Sequence, residues 1–447
     1  MTSVHKAGLG LLLLLGACAG PVANEAFNDV ATETEQRIGK RPAWIRSDAD
    51  ERKVREALDA LLGKPLSADD AVQVALLNNR RLQRSFADLG IGAADLTASW
   101  RPANPGISVA RLTRGNETEI DRRIGIDALG LLVLPITAGI EARRFEQNRL
   151  QTATDVLALA AKTKRAWYEA VTAQQAAVYM TQIRDSADTE AELAQRMRAV
   201  GNWGVLEDSR AKLFSAEMTA KLARSRLAAT VARERLGRLM GLWGTDMAYR
   251  LPDRLPALPK DPRDMPAIET AAIRDRLDVR MAQADLEATR KAAGLTTATR
   301  FINVLELGYN RNSETGKPRQ TGYDVSLEIP LFDFGDAKSS KAEFAYMAAV
   351  NRLSDVAVNA RSAARESYIG YRTAYDLAQH YQNRILPLRK QIGEEMGLRY
   401  NGMLASVFTL LADAREQVAD VSAGLEAQRD FWLADTDLTY VTLAPVE

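Results

Sequence analysis

The chain carries the same order of segments twice, and this duplication limits the folds open to it more than any other feature. Residues 74–76 correspond to 271–273, which lie 197 positions later. Later in each copy the separation has grown to 201, where Gly201 corresponds to Gly402. So small a drift indicates two complete structural units that differ only by short insertions.

Within each copy the apolar period changes from helix to strand and back to helix. The first copy, 67–241, begins with a helical pattern and continues with strand candidates at about 106–113 and 122–133. A long helical stretch over 136–200 follows, and a short turn at 201–204 leads into a return helix. This pattern predicts a mainly α fold with a small β part.

The second copy, 267–440, repeats that order with strand candidates at about 301–310 and 322–331. Its long helical stretch over 336–400 contains Pro387, which predicts a local kink because proline removes one backbone hydrogen bond. In the second of these strands apolar residues alternate with polar ones, whereas the first is less strictly two-faced, because Ile302 and Val304 are also apolar and Asn303 interrupts the apolar face. The alternation predicts one lipid-facing surface. The residues assigned to it are Phe301, Leu305, Leu307, Tyr309, Tyr323, Val325, Leu327 and Ile329.

Four strands per chain are too few to close a membrane barrel, because the smallest spanning barrels have about eight. Lipid does not tolerate an unpaired strand edge. If the strands enter a bilayer, the protein must therefore oligomerise. A dimer would supply eight strands around a filled interior, whereas a trimer would supply twelve and leave room for a lumen.

The N-terminus has the pattern of a secretion signal. Lys6 precedes a short apolar run at 9–15, and small residues lead to Cys18, the only cysteine of the chain. The run also resembles a bacterial lipobox, which predicts cleavage of a lipoprotein signal peptide, residues 1–17, and a covalent lipid on Cys18. The alternative is an ordinary signal with a chance cysteine. Ala19 follows the cysteine in place of the aspartate that resembles an inner-membrane retention signal, so the outer membrane is the expected location.

The remaining segments are assigned by composition. Residues 18–66 are expected to form a lipidated, extended arm, 242–266 a stiff proline-rich linker, and 441–447 a C-terminal tail. Without residues 1–17 the chain loses one lysine and no acid, so its 58 basic and 58 acidic residues balance. A neutral balance argues against a nucleic-acid partner.

No constellation for catalysis is present. The chain has two histidines, one of them in the signal, and it lacks a glycine-rich phosphate loop of the P-loop type. We therefore expect a protein that is not an enzyme and that holds no metal or cofactor, apart from the lipid on Cys18.

Two short motifs lead to a family resemblance. Residues 329–335 (IPLFDFG) are similar to the strand-to-helix corner of TolC-like outer-membrane efflux proteins. Residues 398–402 (LRYNG), with Ser406 downstream, resemble the helical tip of that family. Each motif is weak alone, but their order and spacing agree over about residues 66–440.

The resemblance implies a homotrimer whose twelve strands form a β-barrel continuous with a periplasmic α-helical barrel. It implies that the helical barrel extends into the periplasm, where the helical tips meet a periplasmic adaptor that is itself joined to an inner-membrane pump. It also implies that the lipid adds an anchor in the outer membrane. The residues carried over as adaptor-docking tips are Arg198, Gly201, Asn202, Trp203, Arg399, Asn401, Gly402, Met403 and Ser406.

The chain departs from the family pattern at two places. The family often has acidic residues just after the second tip that narrow the tunnel mouth, whereas here Asp413 is the nearest acid; Glu207 and Asp208 follow the first tip. These three are the tunnel-mouth candidates. Trp203 replaces a smaller residue, and either an adaptor contact or a local cap on the neighbouring helix accounts for it.

Two functions remain open. The first is a passive outer-membrane channel of a tripartite efflux or type I secretion system. The second is a lipid-anchored periplasmic coiled-coil scaffold or adaptor without a pore. An outward apolar band flanked by Tyr309 and Tyr323 favours the channel, because a scaffold has no need of one.

Overall fold

The computed structural model describes residues 19–299, 304–328 and 335–444, and these are mainly helical with one small sheet. In the first half the helices are α1 (Ala19–Ile38), α2 (Asp48–Leu62), α3 (Ala68–Asn78), α4 (Arg80–Ser99), α5 (Ala128–Ala199) and α6 (Val205–Leu239). In the second half they are α7 (Ile268–Asp275), α8 (Leu277–Thr299), α9 (Asp336–His380), α10 (Leu386–Asn401) and α11 (Val407–Val441). The strands are β1 (Gly106–Arg114), β2 (Glu117–Asp127), β3 (Leu305–Glu314) and β4 (Gln320–Leu327).

Helix ends follow from local chemistry. Ser67 accepts a hydrogen bond from the backbone N–H of Asp70 and thereby caps α3, and Ser47 caps α2 in the same way. Pro387 lies in the first turn of α10, directly after a π-helical turn over Tyr381–Ile385. The wider turn accommodates the backbone hydrogen bond that is missing at the proline. The irregularity expected at Pro387 therefore takes the form of a π-bulge.

The four strands form one antiparallel sheet in the order β1-β2-β3-β4. The register pairs Ile107 with Ile124, Ile124 with Tyr309, and Tyr309 with Tyr323. Because paired residues share a face, every second residue of each strand is assigned to one of two surfaces. We call the surface that carries Tyr309 and Tyr323 the tyrosine face, and the opposite one the carboxylate face.

The strand bounds differ from the sequence expectation, most of all in the first hairpin. β2 begins at Glu117, directly after a two-residue turn with Gly115 at φ +59°, and it ends at Asp127. The apolar run that follows, expected as strand up to residue 133, is instead the start of α5. An unbroken apolar run has no period that separates strand from helix. In the second copy, Phe301 and Ile329 lie outside the described residues.

The expected extended arm is wrong, because most of it is helical. α1 and α2 occupy 19–38 and 48–62. Charged residues and the prolines at 21, 42 and 65 suggested an open chain, but all three prolines lie in a first turn or outside the helices, where proline is tolerated. No helix in the described part of the chain is both long and apolar enough to cross a bilayer.

The chain divides into two compact units. The first joins the sheet to the adjoining helical segments, over Ser85–Ala153 and Leu277–Asn359, with the chain up to Val30. The second contains Ala31–Arg84, Thr154–Arg276 and Ala360–Glu447. The units do not coincide with the two sequence copies, because each unit takes segments from both.

The proline-rich segment between the copies is packed within the second unit. Leu251 and Leu255 are buried in a core that includes Trp167 and Tyr168. The indole of Trp432 donates to the carbonyl of Pro256 at 3.1 Å. The segment therefore packs against the helices of its unit and is not a free linker.

Candidate functional site

Two helical turns in the second unit contain six of the nine residues predicted as adaptor-docking tips. The first tip, 200–204, joins α5 to α6, and the second tip, 402–406, joins α10 to α11. Both lie on one open cavity of about 500 Å³, which Trp203 and Glu207 line together with Tyr400, Asn401 and Met403.

The first tip is a Schellman turn built on glycine. Gly201 has a φ of +79°, its N–H donates to the carbonyl of Arg198, and the N–H of Asn202 donates to the carbonyl of Met197 at 2.9 Å. Glycine adopts this left-handed conformation without a steric penalty. Trp203 follows this turn. Its side chain is half-buried and lines the tip cavity, so it is not fully exposed to solvent.

The second tip has the same turn with a methionine at the left-handed position. The N–H of Met403 donates to the carbonyl of Tyr400, and that of Leu404 donates to the carbonyl of Arg399 at 2.8 Å. Met403 has a φ of +59° and is the one non-glycine residue with a positive φ among those described. Its side chain is 94% exposed and that of Leu404 is 82% exposed. Ser406 then caps α11 by accepting from the N–H of Thr409.

The geometry corrects one detail of the sequence alignment. Gly201 corresponds structurally to Met403, whereas Gly402 takes the capping position that Val200 has in the first tip. At the turn the structural spacing is thus 202 residues, one more than the 201 inferred from sequence, because the sequence alignment matched the two glycines.

The three tunnel-mouth carboxylates have different surroundings. The side chain of Asp208 is 2% exposed and pairs with Arg198 at 2.7 Å and with Lys212 at 3.0 Å. Hydrogen bonds from Lys212 and Arg198 hold the pKa of Asp208 below its usual range. Glu207 is half-buried on the cavity wall and forms no ion pair with any residue the structure describes.

Asp413 is held by an arginine that the sequence did not single out. Arg389, on α10, contacts Asp413 at 2.9 Å, Glu416 at 3.1 Å and Asp420 at 2.7 Å, all on α11. Burial alone would lower the pKa of Arg389, but its hydrogen bonds to Asp420 and Glu416 raise it. The helical spacing of the three acids was the sequence signal for such a partner.

Further contacts join α6 to α11 behind the tips. The guanidinium of Arg210 stacks over the ring of Phe408 at 3.9 Å. Arg415 contacts Glu217 at 3.2 Å and lies over the ring of Phe214 at 5.1 Å. These contacts fasten the two helical hairpins to each other within one chain, so separating them breaks both cation–π and ionic interactions.

The strand residues assigned to lipid share one face, as far as the structure describes them. Leu305, Leu307 and Tyr309 are paired with Leu327, Val325 and Tyr323, in that order. The two tyrosine rings contact each other with centroids 5.5 Å apart. Phe301, Ile329 and Cys18 lie outside the described residues, so their roles remain predictions.

Comparison with solved structures shows what this fold is. No protein-family model matches the chain, and no curated protein matches its sequence. The Campylobacter jejuni CmeC outer membrane channel is similar with a TM-score of 0.75 and 16% identity, over 84% of this chain and 85% of that one. A membrane protein from Pseudomonas aeruginosa gives a TM-score of 0.74 at 18% identity, over 84% and 92%. The outer membrane protein VceC from Vibrio cholerae gives 0.72 at 14% identity, over 85% and 97%.

The chain therefore has the TolC-like fold of outer-membrane channels, as the sequence resemblance predicted. At these identities the likeness concerns the fold.

Proposed function

We propose that the protein is a trimeric outer-membrane channel of a tripartite efflux or type I secretion system, and a passive conduit rather than an enzyme. One observation carries the proposal. The sheet leaves β1 and β4 as free edges and presents an exposed apolar surface, the tyrosine face, on which Ile107, Tyr323 and Val325 are 73%, 87% and 67% exposed.

Such a sheet is unfavourable for a chain that stays alone in water. Free edges invite pairing with other chains, and a contiguous apolar surface favours burial. Edge pairing between neighbouring subunits would satisfy both at once. Three chains would supply twelve strands, with the tyrosine face toward lipid and the carboxylate face toward the lumen.

The tips support the partner assignment. Met403 and Leu404 project apolar side chains at a turn where glycine and polar residues are usual. An exposed apolar pair next to the cavity of Trp203 is suited to bind a periplasmic adaptor, and through it an inner-membrane pump. The lipid on Cys18 would add a second, weaker anchor, since one acyl-type signal alone binds a membrane marginally.

Two substitutions on one strand test the membrane assignment. Val325 and Ser326 are adjacent in β4 and lie on opposite faces. Val325→Arg places a charge toward lipid, which costs roughly 2–4 kcal/mol at the midplane and less toward the headgroups, whereas Ser326→Arg faces the lumen. We expect heat-modifiable trimers in outer-membrane fractions to fall sharply for the first variant and to persist for the second.

The competing function, a lipid-anchored periplasmic scaffold, predicts a different result. In a scaffold neither position contacts lipid, so both variants would leave the yield of the assembly alike. Trimers that never conduct ions, even after the tips are loosened, would also favour the scaffold.

A further inference from the structure

The register divides the charged side chains of the sheet between its two surfaces. The described strands carry seven carboxylates, all on the carboxylate face: Glu117, Glu119, Asp121, Asp127, Glu306, Glu314 and Asp324. The tyrosine face carries no carboxylate in these strands. Its charged residues are Arg111, Arg122 and Arg311. All the charged side chains of the tyrosine face in the described strands are therefore cationic.

The three arginines lie together, at a defined place on that face. Arg122 is directly opposite Arg311 in the β2–β3 register, and Arg111 lies on the adjacent strand, diagonal to Arg122. They occupy the two rows next to the row of Tyr309 and Tyr323, toward the hairpin turns, and each row is about 7 Å from the next.

This arrangement is unfavourable as it stands. Like charges directly opposite each other across two strands destabilise a sheet. Among the described residues Arg122 donates only to the hydroxyl of Ser313, and no ion pair forms with any of the three. By contrast, Arg123 on the carboxylate face contacts Asp324 at 2.6 Å. Of the two arginines on the carboxylate face, Arg114 and Arg123, the second is neutralised by an ion pair, whereas none of the three on the tyrosine face has an anion among the described residues.

We infer that Arg111, Arg122 and Arg311 form a binding site for the phosphate groups of an outer-leaflet lipid, the phosphorylated glucosamine headgroup of lipopolysaccharide. The inference rests on the proposed membrane insertion of the sheet. Tyrosine marks the level where headgroups begin, and the arginines lie on the side of the hairpin turns, which face outward in that arrangement. Each guanidinium group can donate two parallel hydrogen bonds to two oxygens of one phosphate. The adjoining rows of apolar side chains accommodate the acyl chains of the lipid.

A soluble anion fits the surface less well. A free phosphate would use the charge but not the apolar rows of Val325 and Leu307, which are exposed on the same face. A phosphorylated lipid uses both. The site therefore predicts selectivity for a ligand that combines phosphate with acyl chains.

Native mass spectrometry of the detergent-purified protein tests the site. The probes are diphosphoryl lipid A, a neutral diacyl lipid, and inorganic phosphate. We expect wild type to retain diphosphoryl lipid A and to release the other two. The triple variant Arg111→Gln, Arg122→Gln, Arg311→Gln should bind diphosphoryl lipid A roughly ten-fold or more weakly. Arg114→Gln, in the same hairpin but on the carboxylate face, is the matched control and should bind as wild type does.

The outcomes separate this site from the proposed function. A wild type that forms membrane-inserted trimers, yet binds diphosphoryl lipid A no better than the neutral lipid, overturns the site and leaves the channel standing. Equal lipid binding by the triple variant and wild type overturns it as well. A wild type that never enters membranes overturns the channel first and the site with it. If the triple variant fails to assemble, Arg111→Gln and Arg311→Gln alone should each still weaken binding several-fold.

Discussion

The two helical tips have the same backbone and different side chains at its most demanding position. Both end a helix with a Schellman turn, but the left-handed residue is Gly201 in the first and Met403 in the second. A methionine in this conformation costs about 1–2 kcal/mol relative to glycine, because its Cβ approaches the backbone. The first turn is relaxed and the second is strained, and strain of this kind is found where a side chain is needed for binding.

The anchoring of the tips differs as well. Asp208 lies in the first turn of its helix and is satisfied by two cations, whereas Asp413 relies on Arg389 alone. Losing one partner should therefore disturb the second hairpin more. If the protein docks an adaptor as proposed, we expect the contact mainly at the second tip, with the first tip in a supporting role.

Proline at the capping position gives the largest change. Gly402→Pro removes the hydrogen bond from its N–H to the carbonyl of Leu398 and should destabilise the turn locally by about 3 kcal/mol. Val200→Pro makes the equivalent change in the first tip, where the N–H donates to Arg196. We expect export to be impaired more by Gly402→Pro, with trimer yield unchanged in both. Equal export by Gly402→Pro and wild type would remove the second tip from the account.

Removal of the central arginine should have the next largest effect. Arg389→Ala leaves Asp413, which is 9% exposed, without a cation and should destabilise the second hairpin by about 2–3 kcal/mol. The control is Arg399→Ala, whose ion pair with Glu395 is exposed and contributes well under about 1 kcal/mol. Amide hydrogen exchange along α10 and α11 measures the difference. Similar exchange in the two variants would refute the anchoring role of Arg389.

Exchanging the left-handed residues should shift stability in opposite directions. Gly201→Ala should destabilise the first tip by about 1 kcal/mol, since its φ is +79°. Met403→Gly relieves strain but gains freedom in the unfolded chain, so we expect stabilisation of less than about 1 kcal/mol. Export should nevertheless fall for Met403→Gly, because the exposed apolar side chain is lost. A variant that exports normally would show that the strain at Met403 serves no docking function.

Acid should remove the smallest of these contributions. The pKa of Asp208 is lowered in the folded protein, so its ion pairs stabilise the first tip at pH values above the unfolded pKa of about 3.8 and are lost as the pH falls below it. Asp208→Asn lacks this contribution at every pH. Exchange rates of wild type and variant at the start of α6 should therefore differ at neutral pH and converge as the pH falls through the lowered pKa of Asp208. A difference that persists in acid would contradict the ion-pair explanation.

The repeat, the tips and the paired apolar strand positions could be predicted because they depend on local pattern. Gly201, Asn401 and Gly402 interrupt long helical periods, and Tyr309 and Tyr323 belong to alternating runs. The N-terminal helices could not be predicted, because the prolines and charges of that segment are equally typical of an open chain. Their positions at helix starts and outside helices are compatible with α1 and α2.

The contacts between distant segments could not be predicted. Arg389 meets Asp413 only because α10 and α11 are packed in one register, and sequence alone gives the helical spacing of the acids without their partner. The division of charge across the sheet needs the strand register as well, since shifting β2 by a single residue would place Arg122 on the carboxylate face while Arg311 stayed on the tyrosine face. Both features depend on how segments far apart in sequence pack against each other.

Single-channel recording tests the central claim most directly, namely that neighbouring subunits complete a membrane barrel around a lumen. Purified protein carrying Arg389→Ala, to loosen the second tip, is added to a planar lipid bilayer beside wild type. The account predicts discrete, stable conductance steps that are larger or more frequent for the variant, and loss of all steps in Val325→Arg. A protein that stays monomeric in water without detergent, with both hairpins cleaved by protease and no conductance in either form, would contradict it.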